Sequence, residues 1–209
     1  MSAILSINDL HARFHKDNGK VVHALNGVNL CVRAGQVVGI LGESGSGKST
    51  LGKSLLRLLP RSARVTGEIE FAGRKIWQLN ESEMNQIRGA QIALIPQEPG
   101  LALNPVLKIG DQIAEVLRVH RDWNWKRCKV EAESALDQVG LQNSSRRFYD
   151  AYPHQLSGGQ QQRAVIAQAL ACHPALIIAD EPTASLDSET EIQILELFRR
   201  LKSHACVPP

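Results

Sequence analysis

The eight residues that decide the fold read Gly42-Glu43-Ser44-Gly45-Ser46-Gly47-Lys48-Ser49, and Thr50 follows them. They match the pattern G-x-x-x-x-G-K-S/T, in which glycines let successive backbone N–H groups turn inward around an anion. The helix after such a loop directs its positive N-terminal end at the same anion. We expect Lys48 to reach the β- and γ-phosphates of a nucleoside triphosphate, and the Ser49 hydroxyl to bind Mg²⁺. Residues 42–50 are therefore the predicted nucleotide-binding loop.

The residues on either side of this loop predict a strand before it and a helix after it. Residues 37–41 form a short apolar run, as expected of a strand that delivers the chain to the loop. Residues 51–59 have a helical pattern that Pro60 ends. A plain Gly/Ser-rich turn is the alternative, but such a turn does not require a lysine directly before a serine. The flanks therefore favour a phosphate-binding loop.

The overall composition is that of a soluble globular protein with room for one sizeable domain. The chain has 209 residues, of which 43% are hydrophobic and 22% are charged, and its net charge is +3. No apolar run approaches the roughly 20 residues of a membrane helix, and the N-terminus does not have the pattern of a signal peptide. The four cysteines lie far apart in the sequence, which favours free thiols. These features predict a cytosolic chain unless a partner anchors it.

The N-terminal part of the chain and three later segments have the pattern of β-strands. Residues 1–41 carry alternating apolar positions that are interrupted by the turn-like residues 16–19, which predicts a hairpin. The run at 176–179 is continuously apolar, as in a buried central parallel strand. The two remaining predicted strands are residues 67–71, followed by a turn at Ala72-Gly73, and residues 92–95.

The middle and the end of the chain are predicted to be helical. Residues 111–140 have apolar positions at helical spacing. A final helix is expected from about Ser188, because Ser188 and Glu191 have the spacing of a capping box. The sequence therefore predicts one α/β domain, with a core of residues 1–97 and 156–209 that is interrupted by a helical insertion at about residues 98–155.

Two acidic residues follow the strand predicted at 176–179. A carboxylate at the end of a strand beside a phosphate loop can hold Mg²⁺ through its water shell, and a second one can activate the attacking water. We assign Asp180 to the metal and Glu181 to the general base. An acidic turn after a strand is the alternative interpretation. The phosphate loop upstream favours the catalytic one.

A second anion site is predicted at Leu156-Ser157-Gly158-Gly159-Gln160. It precedes a helix that is expected to begin near Gln161, and a Ser-Gly-Gly turn at a helix N-terminus directs a hydroxyl and backbone N–H groups at a negative charge. A single chain has no evident use for two such sites on one nucleotide. Two copies arranged head to tail would use both, because each would present its second loop to the γ-phosphate that the other holds.

In this order, the motifs resemble those of the ATPase subunits of ABC transporters. The resemblance extends to Gln97 in Ile95-Pro96-Gln97-Glu98-Pro99, which matches the Q-loop, and to Ser185-Leu186-Asp187, which matches the D-loop. Residues 42–49 then correspond to the Walker A motif, residues 156–160 to the signature and residues 176–181 to the Walker B motif. Finer details, namely residues 43–47, Leu103-Asn104-Pro105 and Tyr152-Pro153-His154, resemble the bacterial dipeptide, oligopeptide and nickel importers.

The resemblance implies a P-loop NTPase core, with a mainly parallel sheet, an N-terminal antiparallel β-subdomain and the inserted helical subdomain. It implies that the cofactors are ATP and Mg²⁺, that Ser49, Gln97 and Asp180 are ligands of the metal, and that Gln97 links the γ-phosphate to the insertion. It also implies membrane permease subunits and a second ATPase subunit as partners, and a solute-binding protein as an indirect one. The subunit would lie at the cytoplasmic face of the inner membrane, where ATP-driven dimer closure drives import of a peptide-like solute or nickel.

The resemblance leaves the roles of four side chains open. Trp123 and Trp125 are candidates for the permease interface, and local packing is an equally good interpretation of both. The family stacks adenine on an aromatic side chain upstream of the phosphate loop. Phe14 and His23 are the candidates here, although a phenylalanine in a strand is more often part of the core.

The end of the sequence departs from the family pattern. The family has a γ-phosphate-contacting histidine at the end of a strand after the D-loop helix, and no strand pattern precedes His204. We therefore expect the chain to be incomplete at its C-terminus. A non-catalytic remnant and a soluble ABC-type ATPase acting on nucleic acid stay open as alternatives. Nucleic acid is not an expected partner, because the arginines at 57–64 and 146–147 have no interleaved aromatic residues.

Overall fold

The described residues of the chain divide into two compact units. The computed structural model describes residues 3–15, 19–141, 145–184 and 186–205. The first unit is Met1–Asn85 and the second is Gln86–Pro209. The predicted division into a core of residues 1–97 and 156–209 and an insertion at 98–155 stays a prediction.

An antiparallel sheet of four strands dominates the first unit. Its strands are β1 (Ala3–His15), β2 (Val21–Arg33), β3 (Ala63–Phe71) and β4 (Arg74–Lys75), and their order in the sheet is β2-β1-β3-β4. The predicted N-terminal hairpin and the predicted strand at 67–71 are confirmed, and β3 begins four residues earlier than the sequence indicated. Of the turn predicted at residues 16–19, the first three residues lie outside the described part of the chain.

A bulge in β1 keeps the hydrophobic side of this sheet facing the core. Leu5 and Ile7 are buried, and the alternation then shifts by one residue, so that Leu10 and Ala12 are buried next. The shift falls at Asp9, whose φ of 47° is left-handed, and both neighbouring strands change register there. Gly67 of β3 packs against this bulge, since a Cβ at position 67 would lie 2.3 Å from the Asp9 carbonyl oxygen.

The strand predicted directly before the phosphate loop is not formed. Residues 37–41 belong to no strand within the described structure. Their side chains are exposed, with Val37 at 71% and Leu41 at 96% of full exposure. The prediction was wrong because an apolar run becomes a strand only when a neighbouring strand accepts its backbone hydrogen bonds.

The helix after the loop, α1 (Lys48–Leu55), is shorter than the sequence predicted. It ends because Arg57 has a φ of 53° and closes a Schellman motif, in which the N–H groups of Arg57 and Leu58 donate to the carbonyl oxygens of Ser54 and Lys53. The Arg57 guanidinium is held by the Leu79 carbonyl oxygen at 2.7 Å. Pro60, the predicted stop, therefore lies well beyond the actual end of α1.

The second unit begins within α2 (Glu81–Ile87) and contains a parallel pair of strands, β5 (Ile92–Ile95) and β6 (Leu176–Ala179). Both strands were predicted at these residues. The prediction that β6 is a fully buried central strand was wrong. Its side chains are half-buried or exposed, because β5 is its only neighbour in the described part of the chain.

Helices pack around this pair in a common hydrophobic core. Ile95 of β5 shares the core with side chains such as Ile113, Leu136, Ile166 and Ile194. The mainly helical character predicted for residues 111–140 is confirmed. No helix among the described residues combines the length and the apolar character needed to cross a membrane. The helices are α3 (Pro99–Ala102), α4 (Ile109–His120), α5 (Trp125–Gln138), α6 (Ser145–Asp150), α7 (Gly158–Leu170) and α8 (Ser188–Ala205).

Candidate functional site

The backbone of the phosphate loop requires glycine at two of its positions. Gly45 and Gly47 have φ angles of 80° and 98°, a region that side chains disfavour. At Gly47 the space is closed as well, since a Cβ there would lie 2.3 Å from the Ala24 carbonyl oxygen in β2. A Cβ at Gly45 would meet nothing within 4 Å. Gly47 therefore lets the start of α1 approach β2, whereas Gly45 makes the turn itself.

Lys48 folds back into the loop that precedes it. Its Nζ donates hydrogen bonds to the carbonyl oxygens of Gly42 at 2.9 Å and Glu43 at 3.0 Å. The loop from Gly42 to Ser46 is exposed. The lysine charge is thus held inside a glycine-rich turn that faces solvent.

The start of α1 is suited to an anion. Gly47 at the N-cap has no side chain to accept a hydrogen bond, and the first turn contains no acidic residue. The N-terminal end of a helix carries partial positive charge and points N–H groups outward. Together with the Lys48 ammonium group, this arrangement fits a polyphosphate, and Ser49 and Thr50 lie in the same first turn of α1.

In the second unit, the parallel strands bring Gln97 and Glu181 together. Asp180 N–H donates to the Ile95 carbonyl oxygen at 2.9 Å, which extends the pairing of β5 and β6 by one step. The residues just beyond the two strands therefore lie side by side. The Gln97 Nε2 donates a hydrogen bond of 3.0 Å to Glu181 Oε2. Two residues that are 84 positions apart in the sequence are thus in direct contact at the carboxyl edge of the strands.

Glu181 occupies a backbone conformation that costs energy. Its φ is 44°, in the left-handed region where an L side chain is disfavoured by about 1–2 kcal/mol. The turn that follows is closed by a hydrogen bond of 3.1 Å from Ala184 N–H to the Glu181 carbonyl oxygen. Backbone strain of this kind is concentrated at functional sites, where it orients a side chain.

Ser157 is the N-cap of α7, so this helix begins at Gly158 and not near Gln161 as the sequence suggested. Gln160 N–H donates to Ser157 Oγ at 3.4 Å, and Ser157 N–H donates to Gln160 Oε1 at 3.0 Å. This capping box fixes the serine hydroxyl at the start of a 13-residue helix. Ser157 and Gly158 are both exposed, so the predicted second anion site is on the surface of the unit.

The two glycines after Ser157 have different surroundings. A Cβ at Gly159 would lie 2.6 Å from Thr190 Cγ2, which means that α7 and α8 approach each other closely there. A Cβ at Gly158 would meet nothing within 4 Å, and its φ is not positive. Packing within the described chain therefore explains the glycine at 159 but not the glycine at 158.

The start of α8 is capped by Asp187, and the predicted capping box of Ser188 and Glu191 is not formed. Thr190 N–H donates to Asp187 Oδ1 at 2.9 Å, and the Thr190 hydroxyl donates to Oδ2 at 2.8 Å. These bonds lower the pKa of Asp187 below its usual range. Glu191 instead accepts a hydrogen bond of 3.1 Å from the Thr183 hydroxyl. Ser188 is the first helical residue, because the aspartate before it already accepts the hydrogen bond from the Thr190 N–H at the helix start.

Thr190 is the residue of this region that the sequence analysis missed. It joins the predicted D-loop to the signature, since its polar atoms bind Asp187 and its methyl group faces Gly159. The spacing Asp-x-x-Thr before an apolar helix was a usable signal. Ser185, the first residue of the predicted D-loop, lies outside the described residues.

The four side chains with open roles occupy different environments. Trp123 and Trp125 are partly buried against the helical core. Phe14 is half-buried in β1 and His23 is exposed in β2. Adenine stacking by either of the latter stays a prediction.

Comparisons with known proteins identify the family and the fold of this chain. The family model described as ABC transporter matches residues 25–184, a span that includes the phosphate loop, Gln97, Ser157 and Glu181. The chain belongs to the ABC transporter family. Its fold is that of the solved ATP-binding cassettes. One of them is the dimeric cassette MJ0796 in a post-hydrolysis state bound to ADP and Pi, which aligns with a TM-score of 0.83 and 32% sequence identity. The alignment covers 96% of this chain and 83% of the MJ0796 chain.

Relatives of this ABC family chain include ATP-binding proteins of peptide transport. It is 42% identical over 202 residues to the oligopeptide transport ATP-binding protein OppD of Haemophilus influenzae. It is 44% identical over 204 residues to the dipeptide transport ATP-binding protein DppD of Bacillus subtilis. Each alignment covers 97% of this chain, but only 62% of OppD and 60% of DppD. The chain thus spans about 60% of the length of these curated relatives.

Proposed function

We propose that this chain is the ATP-binding and ATP-hydrolysing subunit of an ABC importer for peptides. The observation that carries the proposal is the contact of 3.0 Å between Gln97 and Glu181 at the carboxyl edge of β5 and β6. This contact places an amide beside a carboxylate that is suited to activate water, in a chain that belongs to the ABC transporter family. The peptide-transport relatives support the choice of solute class.

In this proposal the phosphate loop binds the triphosphate of ATP. The backbone N–H groups of residues 42–50 surround the β- and γ-phosphates, and Lys48 exchanges its contacts with the Gly42 and Glu43 carbonyl oxygens for contacts with phosphate oxygens. The exchange is favourable because a charge-assisted bond between ammonium and phosphate is stronger than a bond to a neutral carbonyl. Ser49, Gln97 and Asp180 are the proposed ligands of Mg²⁺, which when bound neutralises part of the phosphate charge.

Glu181 is the proposed general base. Its carboxylate accepts a proton from the water that attacks the γ-phosphorus, and the strained backbone at Glu181 fixes the direction of the side chain. Gln97 acts with it by donating a hydrogen bond to Oε2. Since only Glu98 separates Gln97 from α3, a shift of the helical segment would reach the base through a single hydrogen bond.

The signature loop is proposed to act on a nucleotide held by a second ATPase subunit. Ser157 and Gly158 are exposed at the N-terminus of α7, and no atom of the described chain lies where a Cβ at Gly158 would require space. A phosphate of the partner subunit approaching this backbone would explain why position 158 is glycine. The dimeric state of the cassette MJ0796 supports a pair of subunits.

The remaining partners follow from membership in a transporter family. We propose that membrane permease subunits bind the helical segment at 98–155, that a solute-binding protein delivers peptides to them, and that the ATPase subunit is peripheral at the cytoplasmic face of the inner membrane. Import of nickel is the less supported choice, because the relatives described above are named for peptides.

Replacement of Glu181 by glutamine tests the proposal. The Glu181→Gln variant is expected to bind ATP, to lose hydrolysis by a factor of about 100 or more, and to form an ATP-dependent dimer that gel filtration detects. Glu189→Gln, which changes an exposed acid in the first turn of α8, is the matched control and should hydrolyse ATP like the parent. Equal hydrolysis by the Glu181→Gln variant and the parent would contradict the role of the base.

Replacement of Lys48 separates binding from hydrolysis. Lys48→Ala should weaken ATP binding by about tenfold or more, since it removes the charge inside the phosphate loop. Unchanged nucleotide affinity would contradict the placement of Lys48 on the phosphates. A parent chain that neither binds ATP nor has Glu181-dependent hydrolysis would identify a non-catalytic remnant instead.

A further inference from the structure

A cluster of cations and tryptophans occupies the turn between α4 and α5. Residues 118–129 contain five lysines and arginines but a single acid, Asp122. The sequence also has tryptophan at 123 and 125, between the arginines at 118 and 121 and the basic residues at 126, 127 and 129. We name this surface the basic indole patch, and it consists of Arg118, Arg121, Trp123, Trp125, Lys126, Arg127 and Lys129.

The cations of the basic indole patch lie against the two indole rings. The Arg127 guanidinium carbon is 3.9 Å from the ring centroid of Trp123, and that of Arg121 is 6.0 Å from it. The Arg118 guanidinium carbon and the Lys129 Nζ each lie 5.7 Å from the ring centroid of Trp125. Attraction between a cation and an aromatic face holds such charges in place without neutralising them. The patch therefore presents organised positive charge.

These cations differ from some other cations of the chain, such as Lys75 and Lys108, in their ionic partners. Lys75 binds Glu68 at 2.9 Å and Lys108 binds Asp150 at 2.7 Å. Among the residues that the structure describes, no carboxylate lies within 4.0 Å of a cation of the basic indole patch. A local excess of positive charge of this kind attracts a partner with dense negative charge.

The placement of the rings favours a phospholipid headgroup over a nucleic acid base. A base needs an open aromatic face for stacking, and Arg127 covers a face of Trp123 at 3.9 Å. Indole rings flanked by lysine and arginine are instead suited to the polar boundary of a bilayer, where the cations meet lipid phosphates. Val119 and Val130 add exposed apolar side chains beside the patch, at 77% and 59% of full exposure.

The basic indole patch lies far from the signature loop. Arg121 Nη2 donates to the Cys172 carbonyl oxygen at 2.6 Å, just beyond the C-terminal end of α7. Ser157 caps the opposite end of the same helix, which has 13 residues and is therefore about 20 Å long. Lipid on the patch would leave Ser157 and Gly158 accessible, and the permease contacts proposed within 98–155 would then lie outside residues 118–130.

We propose that the basic indole patch binds the headgroups of an anionic phospholipid surface. The cations contact lipid phosphates, the indole rings lie at the level of the headgroups, and Val119 and Val130 contact the outermost acyl carbons. The attraction between the cations and the lipid phosphates is electrostatic, so added salt lowers the affinity for the membrane. It depends neither on ATP nor on the proposed hydrolysis.

Co-sedimentation of the full chain with vesicles tests the proposal. The parent is expected to bind phosphatidylcholine vesicles that contain about 30 mol% phosphatidylglycerol, and to bind pure phosphatidylcholine vesicles at least about tenfold more weakly. The Lys126→Gln/Lys129→Gln variant should lose about tenfold or more in affinity, because each basic residue near the surface contributes roughly fivefold. Arg61→Gln/Arg64→Gln removes two exposed cations outside the patch and should bind like the parent.

Three outcomes would overturn the proposal. These are a parent that does not bind the anionic vesicles, an equal loss of affinity in the two double variants, and binding of a single-stranded DNA oligonucleotide by the patch in place of vesicles.

The location of the indole rings is tested in a Trp77→Phe background, in which brominated phosphatidylglycerol should quench the fluorescence of Trp123 and Trp125. Vesicle binding without quenching would contradict the indole contact. Circular dichroism and thermal unfolding establish that each variant is folded.

Discussion

The Cα atom of Gly159 faces the methyl group of Thr190, and a Cβ at position 159 would lie 2.6 Å from Thr190 Cγ2. We predict that Gly159→Ala lowers the free energy of unfolding by about 1–3 kcal/mol, as overpacking does in closely packed sites. Thr190→Ser in the same chain should restore most of the loss. It removes the methyl group and keeps the hydroxyl that binds Asp187 at 2.8 Å. Urea unfolding of the single and double variants measures the effect, and the absence of rescue would contradict this packing.

Gly158 supplies the matched comparison, because a Cβ there would meet nothing within 4 Å. Gly158→Ala should leave the free energy of unfolding within about 0.5 kcal/mol of the parent, or raise it slightly, since alanine favours helix. If Gly158 approaches a phosphate held by a second subunit, the same variant should lose most ATP-dependent dimerisation. A variant with unchanged dimerisation would contradict the proposed role of position 158. Gel filtration with and without ATP measures this.

Ser157 is expected to have two separable roles, as a helix cap and as a phosphate ligand. Ser157→Ala should cost about 1 kcal/mol of stability, because it removes the acceptor of the Gln160 N–H. Ser157→Asn and Ser157→Asp should both keep the cap and stay within about 0.5 kcal/mol of the parent. The aspartate alone adds a negative charge where a phosphate is proposed to bind. ATP-dependent dimerisation should therefore fail in Ser157→Asp and persist at least partly in Ser157→Asn.

The left-handed φ of 44° at Glu181 predicts a gain in stability when the side chain is removed. Glu181→Gly should unfold with a free energy about 0.5–1 kcal/mol higher than Glu181→Gln, because glycine adopts this conformation without strain. Neither variant should hydrolyse ATP. Ala72→Gly, at a turn with a φ of 49°, is the control that should be stabilised with unchanged hydrolysis. Equal stability of the two Glu181 variants would show that the backbone at this position is not strained.

His120 is expected to make the free energy of unfolding depend on pH. Burial and the nearby charge of Arg121 lower the pKa of His120 below its ordinary value of 6.5. The unfolded chain therefore binds this proton more readily, so the contribution of His120 to stability is present above about pH 6.5 and decreases as the pH falls below it. Urea unfolding at about pH 7.5 and about pH 5.5 should show a smaller loss for His120→Asn than for the parent. An equal loss for His120→Asn and the parent would contradict this role of His120.

The short sequence patterns predicted elements well where local chemistry decides the structure. The hairpin of β1 and β2, the strands β5 and β6 and the helices α4 and α5 lie where hydrophobic periodicity indicated them. The predictions failed where the structure depends on which other residue supplies the hydrogen-bond partner. A strand was predicted at 37–41, where the described part of the chain provides no partner strand, and Ser188 was predicted as a cap that Asp187 provides.

The basic indole patch and Thr190 were not predicted because their contacts join side chains of different helices. The basic groups at 57–64 and 146–147 are evident in the sequence, but the tryptophans at 123 and 125 do not by themselves indicate which cations surround them. Their common position became visible only when α4 and α5 placed Arg118 and Lys129 on the same ring. A linear pattern does not state which side chains of two helices meet.

The sequence by itself determined the identity and order of the chemical groups. The glycines and the lysine of residues 42–49, the serine before α7 and the acids after β6 are covalent facts, and their order suffices to indicate a nucleotide-binding ATPase of the ABC family. Only the tertiary structure decided their contacts. The pairing of β5 with β6 brings Gln97 to Glu181, and the approach of α7 to α8 makes glycine necessary at 159. Such contacts depend on long-range packing, which neighbouring residues in the sequence do not encode.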